Sequence, residues 1–338
     1  MRYELGMFQR MAWGIFAILI LVNIFITDVY VAREAVSRYG PFGELFQRGS
    51  LIPAIFIMVL IRASMELNRI LKAKGARAHT LFGNLMIVAL LLAPWLSSAG
   101  WLGDGAVEQE GLIWQLVVLL VTVLGTGLLA VLRRDPQGTV RDVGATFLLV
   151  FYVGFLGSFG LMLRCGRDIP GQEGAWLLLL VILVTKASDI GAYFVGTALG
   201  RHKLIPEVSP GKSVEGAIGG LLGSALVGMF FAALPHWVAA PGSDEPWVQL
   251  LHDVTRSFSV RQQVDSISPV WRGFLLGLAV SAAGQIGDLF ESCLKRDGGV
   301  KDSGNLLPRY GGILDLIDSP MFAMPVAWFL LTVVWNVV

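Results

Sequence analysis

The chain has 338 residues, of which 55% are hydrophobic and 15% charged, and its formal net charge is +1. A soluble protein carries about a quarter charged residues; here the deficit comes from apolar runs of about 20 residues, the length that crosses a bilayer as a helix. A soluble domain is excluded, the charge balance gives no electrostatic case for nucleic acid as a partner, and the two cysteines, Cys165 and Cys293, lack metal-ligand spacing.

In chain order, about nine transmembrane helices are predicted, near residues 11–30, 50–70, 80–101, 112–132, 143–163, 174–199, 214–234, 271–294 and 319–337, which makes an all-α polytopic membrane protein. The first run follows Arg2 and Arg10 and has the start of a signal peptide. No small-residue cleavage site follows it and further spans do, so a retained helix is expected. Residues 1–140 read as a set of N-terminal transmembrane helices. Residues 141–338 read as a catalytic transmembrane region with motif loops at 200–214 and 295–318.

Loop charge sets the orientation. The loop after span two holds Arg69, Lys72, Lys74 and Arg77, and the one after span four holds Arg133, Arg134 and Arg141. Spans six and eight are followed by Arg201, Lys203 and Lys212, then by Lys295, Arg296, Lys301 and Arg309. The loop from Asp104 to Glu110 has neither Lys nor Arg. The basic loops therefore fall on one side, expected to be the cytoplasmic face of the cell (inner) membrane. The long loop 235–268 falls outside although it carries Arg256 and Arg261. Its Trp247, Leu250, Leu251, Val254 and Phe258 share one helical face, which fits a helix lying on the membrane surface or a packed loop.

Ionisable residues inside spans each cost about 2.5–3.5 kcal/mol near a helix centre and need a reason. In span six, Lys186, Asp189 and Tyr193 share a face and the first two can neutralise each other; the alternative is an ion pair that only pins two helices. In span eight, Gln285, Asp288, Ser292 and Lys295 share a face, with Glu291 beside them. At about 1.5 Å per residue, Asp189 and Asp288 lie roughly 10–16 Å from the cytoplasmic ends of their helices, so two spans deliver carboxylates to one layer. A polar cavity open to the cytoplasm would explain that.

The loops add phosphate chemistry. Lys212 and Ser213 stand just before the first turn of span seven, where free backbone N–H groups favour phosphate; a capped helix start with a solvated lysine fits as well. Gly211-Lys212-Ser213 resembles the tail of a P-loop, but Pro206 stands where the loop's first glycine belongs, so that reading fails. Residues 292–319 hold four aspartates, two lysines and two arginines. Asp315 and Asp318 face the same way if the last helix has begun, and two carboxylates so close need a cation between them. Mg²⁺ prefers carboxylate, water and phosphate oxygens, and the nearby Lys and Arg side chains suit a polyphosphate. This is an inventory for metal-assisted phosphoryl or nucleotidyl transfer.

Those residues carry a resemblance. Ser292-x-x-Lys295-Arg296, Lys301-Asp302-x-Gly304 and Gly311-Gly312-x-x-Asp315-x-x-Asp318-Ser319 resemble the signature of the phosphatidate cytidylyltransferases. The segments Ser188-Asp189-x-Gly191-Ala192-Tyr193, Ser209-Pro210-Gly211-Lys212-Ser213 and Gly287-Asp288-Leu289-Phe290-Glu291-Ser292 also look like that family. The match covers about 180–320. It implies a reaction in which phosphatidic acid attacks the α-phosphate of CTP, giving CDP-diacylglycerol and pyrophosphate. It also implies a divalent metal such as Mg²⁺, a second, monovalent cation such as K⁺, and a homodimer. By position it makes Asp288, Asp315 and Asp318 the metal ligands, with Lys295 and Asp189 also catalytic. Lys212, Ser213, Arg296, Lys301, Asp302, Ser292 and Lys186 become substrate-binding residues. Tyr310 and Leu316 replace the family's usual His and Arg, and Arg309 is expected to supply the missing positive charge. The rivals are a CTP-dependent polyprenol or phytol kinase, which shares the upstream motifs but not the full 292–319 signature, and an ion-coupled transporter, which predicts an internal repeat that is not seen.

Overall fold

The computed structural model describes residues 19–32, 49–98, 107–165, 173–238, 268–304, 306 and 311–335. Eight of its helices are long and apolar enough to cross a membrane. A shorter apolar helix, α1 (Leu19–Ala32), precedes α2 (Leu51–Ala73), α3 (Thr80–Ser98), α4 (Val107–Leu132), α5 (Thr139–Cys165) and α6 (Glu173–Leu199). Then come α7 (Val214–Val238), α8 (Pro269–Asp297) and α9 (Leu314–Val334). The second to ninth expected spans are therefore present, with ends up to about five residues from those predicted, and α1 covers the later part of the first. The proposed surface helix at 247–258 and the start of the first span lie outside the described residues.

Two features depart from the sequence reading. The motif segment before α7 folds as a β-hairpin, with Lys203–Ile205 (β1) antiparallel to Ser209–Ser213 (β2) and Ile205 paired with Ser209. Pro210 is tolerated because both strands are edges. The last helix begins at Leu314 rather than near 319, so Asp315 and Asp318 both lie in its opening turns.

Packing follows from side-chain size. Leu116, Leu120, Leu124 and Leu128 recur at every fourth position of α4 and stay exposed, the pattern of a lipid-facing stripe. Helices α6, α7 and α8 instead approach through small residues, as membrane helices do when dispersion alone drives contact. At the α7–α8 crossing, a methyl group on Gly228 would collide with the backbone of Gly273. Around these helices α5 and α9 supply bulk, with Phe159 packed edge-on against Trp328 and Tyr152 against Phe290. Val150–Phe155 within α5 and Phe329–Val334 within α9 are wider π-helical turns, which shift the side chains that follow.

The basic loops meet at one end of the bundle, as alternation of loop charge requires. Arg77 N–H donates to Asp142 Oδ1 at 2.8 Å, Lys74 pairs with Asp297 at 3.1 Å, and Arg296 Nε donates to the Val208 carbonyl at 3.2 Å. At the opposite end, Asp28 of α1 accepts the Leu51 and Ile52 N–H groups that open α2, and pairs with Arg164 at 2.6 Å.

Candidate functional site

The site is assembled at the basic end, where α6, the hairpin, α8 and α9 come together. Its first pair is Lys212 of β2 with Asp288 of α8, Nζ to Oδ2 at 2.6 Å. The hairpin makes this reach possible. Ser213, at the end of β2, accepts the Gly216 N–H at 3.1 Å and so caps α7. Glu215 accepts the Arg201 N–H at 3.1 Å and meets His202 Nδ1 at 2.6 Å, closing the base of the hairpin. Arg296, near the end of α8, then ties the hairpin turn to α8. Thus Ser213 serves as a helix cap, while Lys212 is held on a carboxylate.

The second pair is Lys186 with Asp189 on α6, at 3.0 Å, and Lys186 also donates to the Leu316 carbonyl of α9 at 3.3 Å. It does join two helices, but it is not sealed: 29% and 42% of the two side chains remain exposed. Asp318, buried on α9, lies within electrostatic range of Asp288, Lys186 and Asp189, and its Oδ1 accepts the Ser319 N–H. Three carboxylates and two ammonium groups therefore face one another in one layer, as the depth argument from the sequence anticipated.

The third cluster joins the end of α8 to the start of α9. Lys295 Nζ contacts Asp315 Oδ1 at 2.6 Å and also pairs with Glu291, whose side chain is fully buried. Asp315 Oδ2 accepts from Ser303 Oγ at 2.7 Å, Ser303 N–H at 2.9 Å and Gly312 N–H at 2.7 Å. Gly311 has φ +86, a left-handed backbone that glycine adopts without strain, and this turn aims the Gly312 N–H at the carboxylate.

Asp189, Lys186, Lys212, Asp288, Lys295, Asp315 and Asp318 are thus gathered by the fold. Ser292 is buried on α8, and Lys301 and Asp302 are exposed on the loop after it. Arg309 and Tyr310 lie outside the described residues. Two participants escaped the sequence reading, Ser303 and Glu66, and Glu291, noted there beside Asp288, was given no role. Glu66 of α2 is buried, accepts from Ser303 Oγ at 3.0 Å and from Leu314 N–H at 2.9 Å, and pairs with Arg62 at 3.2 Å. A methyl group added at Gly312 or Gly304 would run into its carboxylate. The signal was present as Arg62, Glu66 and Arg69 at helical spacing inside an apolar run.

Among the described residues no three Asp, Glu, His or Cys side chains already form a cage for an ion. Mg²⁺ does not need one, because it is commonly held by one or two carboxylates, with water and phosphate completing its shell. The donor set fits such an ion. Asp189, Asp288, Asp318, Asp315 and Glu291 outnumber Lys186, Lys212 and Lys295 across these clusters, and the buried Tyr152 hydroxyl, within electrostatic range of Asp318, Glu291, Asp288 and Asp315, has no hydrogen bond among the described residues.

Comparison with known proteins shows the family. Residues 42–334 match the cytidylyltransferase family. The phosphatidate cytidylyltransferase of Bacillus subtilis (strain 168) is 34% identical over 272 residues, which is 80% of this chain and 84% of that protein. The phosphatidate cytidylyltransferase of Mycobacterium bovis is 31% identical over 320 residues, covering 93% of this chain and 84% of its own length. That of Synechocystis is 29% identical over 316 residues, covering 85% and 90%.

Proposed function

The chain belongs to the cytidylyltransferase family, and from that premise we propose that it is a phosphatidate cytidylyltransferase. It converts CTP and phosphatidic acid to CDP-diacylglycerol and pyrophosphate at the cytoplasmic face of the inner membrane. The observation that carries the reading is the Lys212–Asp288 contact beside Asp318, which draws a phosphate-type lysine from the hairpin into a carboxylate layer built by two other helices.

In this reading the phosphate of phosphatidic acid attacks the α-phosphorus of CTP, a new P–O bond forms, and the bond to the β-phosphate breaks to release pyrophosphate. The attacking phosphate is already ionised near neutral pH, so no strong general base is required. The work left to the protein is alignment and charge neutralisation. Lys212 and Lys295, now resting on carboxylates, are the ammonium groups placed to pass onto phosphate oxygens. Arg296, Lys301 and Arg309 add positive charge around them, Ser292, Ser213 and Asp302 border the nucleotide, and Lys186 with Asp189 shapes the wall. Asp288, Asp315 and Asp318 are the side chains that would hold Mg²⁺, whose charge would neutralise the reacting phosphates; a second cation such as K⁺ belongs to the same proposal.

The test uses the purified full-length protein in lipid–detergent micelles with phosphatidic acid, Mg²⁺ and CTP labelled either on the α-phosphate or on the γ-phosphate. Label from the α-position in the lipid product, abolished by EDTA and restored by Mg²⁺, is the expected result. Transfer of the γ-phosphate alone would assign a kinase instead, and α-label transfer that persists through chelation would remove the metal from the proposal.

A further inference from the structure

A cavity of about 440 Å³ has a lining that includes Arg62, Arg69, Asp302, Ser303 and Gly304, and Ser303 also touches Asp315. It is separate from the Lys186–Asp288 layer, and its basic side comes from α2, in the half of the chain where the sequence reading placed no substrate residue. Arg62 and Arg69 are seven apart on one helix and so share a face. At about 1.5 Å per residue, Arg62 sits roughly 16 Å from the basic end of α2, a depth at which a charge in a membrane helix needs a reason.

Two observations say that this cavity is built to take a ligand. The first is the brace behind it. The buried Glu66 carboxylate holds Arg62 on one oxygen and Ser303 on the other, so the basic wall and the motif wall are fixed to the same group. The second is an unspent donor: Arg62 Nη1 is buried and makes no hydrogen bond among the described residues. Arg69 is exposed and has no ion-pair partner among them. Two guanidinium groups lining one cavity favour phosphate oxygens. Asp302, the one acidic residue in the lining, favours a ligand that also carries a hydrogen-bond donor; a carboxylate is the usual acceptor for the cytosine amino group. A cytidine nucleotide offers both, whereas the ionised phosphate of phosphatidic acid offers acceptors alone.

We propose that Arg62 and Arg69 of α2, with Asp302, form a nucleotide subsite that opens onto the Lys295–Asp315 pair through Ser303. The inference rests on the cytidylyltransferase reading for the identity of the nucleotide, not for the existence of the subsite. A ligand bound there against Ser303 would be two residues from the ammonium group of Lys295, since Ser303 Oγ lies 2.7 Å from Asp315 and Asp315 lies 2.6 Å from Lys295.

Arg69→Gln is the first variant, because Arg69 is exposed and its loss leaves no buried partner. Arg62→Lys is the second; it keeps the charge opposite Glu66 and removes the forked donors. Equilibrium binding of CTP and of pyrophosphate is measured on the purified full chain, beside KM for CTP and for phosphatidic acid. The expected result is CTP binding weakened tenfold or more by Arg69→Gln, KM for CTP raised to match, and KM for phosphatidic acid within twofold of the parent. A shift in KM for phosphatidic acid alone would make the cavity a lipid site and overturn the proposal, as would unchanged CTP binding in both variants. Nucleotide binding that depends on Arg69 in a parent protein that forms no CDP-lipid would keep the subsite and remove the activity. Lipid formation indifferent to Arg69 and Arg62 would do the reverse.

Discussion

Two sets of ion pairs sit at opposite ends of this bundle and are built differently. Asp28 and Arg164 are both fully buried, and every oxygen of Asp28 is used: two backbone N–H groups of α2 on one, the Arg164 guanidinium on the other. Lys212–Asp288 and Lys186–Asp189 keep between 27% and 42% of their side chains exposed. The first arrangement is closed. It satisfies itself and joins α1, α2 and the end of α5. The second remains reachable, contains more carboxylates than ammonium groups, and has among them a buried phenol whose hydroxyl makes no hydrogen bond among the described residues. In a low-dielectric interior, a fully satisfied pair is costly to break, while a pair with spare valence and access is placed to exchange partners.

The difference is sharpest in substitutions that remove one charge from each set. Asp288→Asn is expected to lower turnover by about 10³ or more, roughly 4 kcal/mol in the barrier, while costing about 1 kcal/mol or less of stability because the pair is partly solvated. Formation of labelled lipid and a thermal melt in detergent, read on the same preparation, check both halves. A melt lowered as far as that of an Arg164 variant would erase the distinction between the two sets of ion pairs. Arg164→Met should do the opposite. It leaves Asp28 buried and uncompensated, at about 3–5 kcal/mol of stability, with turnover per folded molecule within about twofold. Adding Asp28→Asn to Arg164→Met should recover part of the melt, because the neutral amide removes the stranded charge and its oxygen still accepts the Leu51 and Ile52 N–H groups.

The same contrast explains what could be read from the sequence. Helices α2 to α9 announce themselves through apolar length, and Lys186, Asp189 and Asp288 through the cost of charge inside it. The hairpin at Lys203–Ser213 does not, since a five-residue strand containing Pro and Gly has no alternation to detect. The π-helical turn that carries Tyr152 has no compositional mark. Glu66 was hidden for another reason. Its partners, Ser303 and Leu314, are more than 230 positions away in the chain, and a lone carboxylate in an apolar run reveals its role only when the fold brings them to it. The resemblance, confined to about 180–320, therefore placed the chemistry in one half, whereas the matched family spans 42–334.

Glu66→Gln measures how far the N-terminal helices take part. Glutamine keeps one carbonyl acceptor for Ser303 or Leu314 and loses the charge that holds Arg62, a change worth about 1.5–3 kcal/mol. If Glu66 positions the motif loop, turnover should fall about tenfold while phosphatidic acid affinity stays near the parent value. A Glu66→Asp variant, with the charge retained on a shorter stem, should rescue part of the loss. A loss of melt with unchanged turnover per folded molecule would make Glu66 a structural strut alone.

The smallest expected effect belongs to Tyr152. Its ring is packed edge-on by Phe290 and Phe322, and those contacts survive in Tyr152→Phe. What disappears is a buried hydroxyl with no hydrogen bond among the described residues. If that hydroxyl is idle, removing it relieves an unsatisfied polar group, and the melt should hold or rise by the equivalent of about 1 kcal/mol with turnover unchanged. The surrounding carboxylates argue against idleness: Asp318, Glu291, Asp288 and Asp315 are all within its electrostatic range. A donor there has work only when the layer is rearranged by substrate, so Tyr152→Phe should leave the free protein as stable as before and slow turnover about threefold to tenfold. Equal turnover would assign Tyr152 to packing and confine the exchangeable set to the lysines and carboxylates themselves.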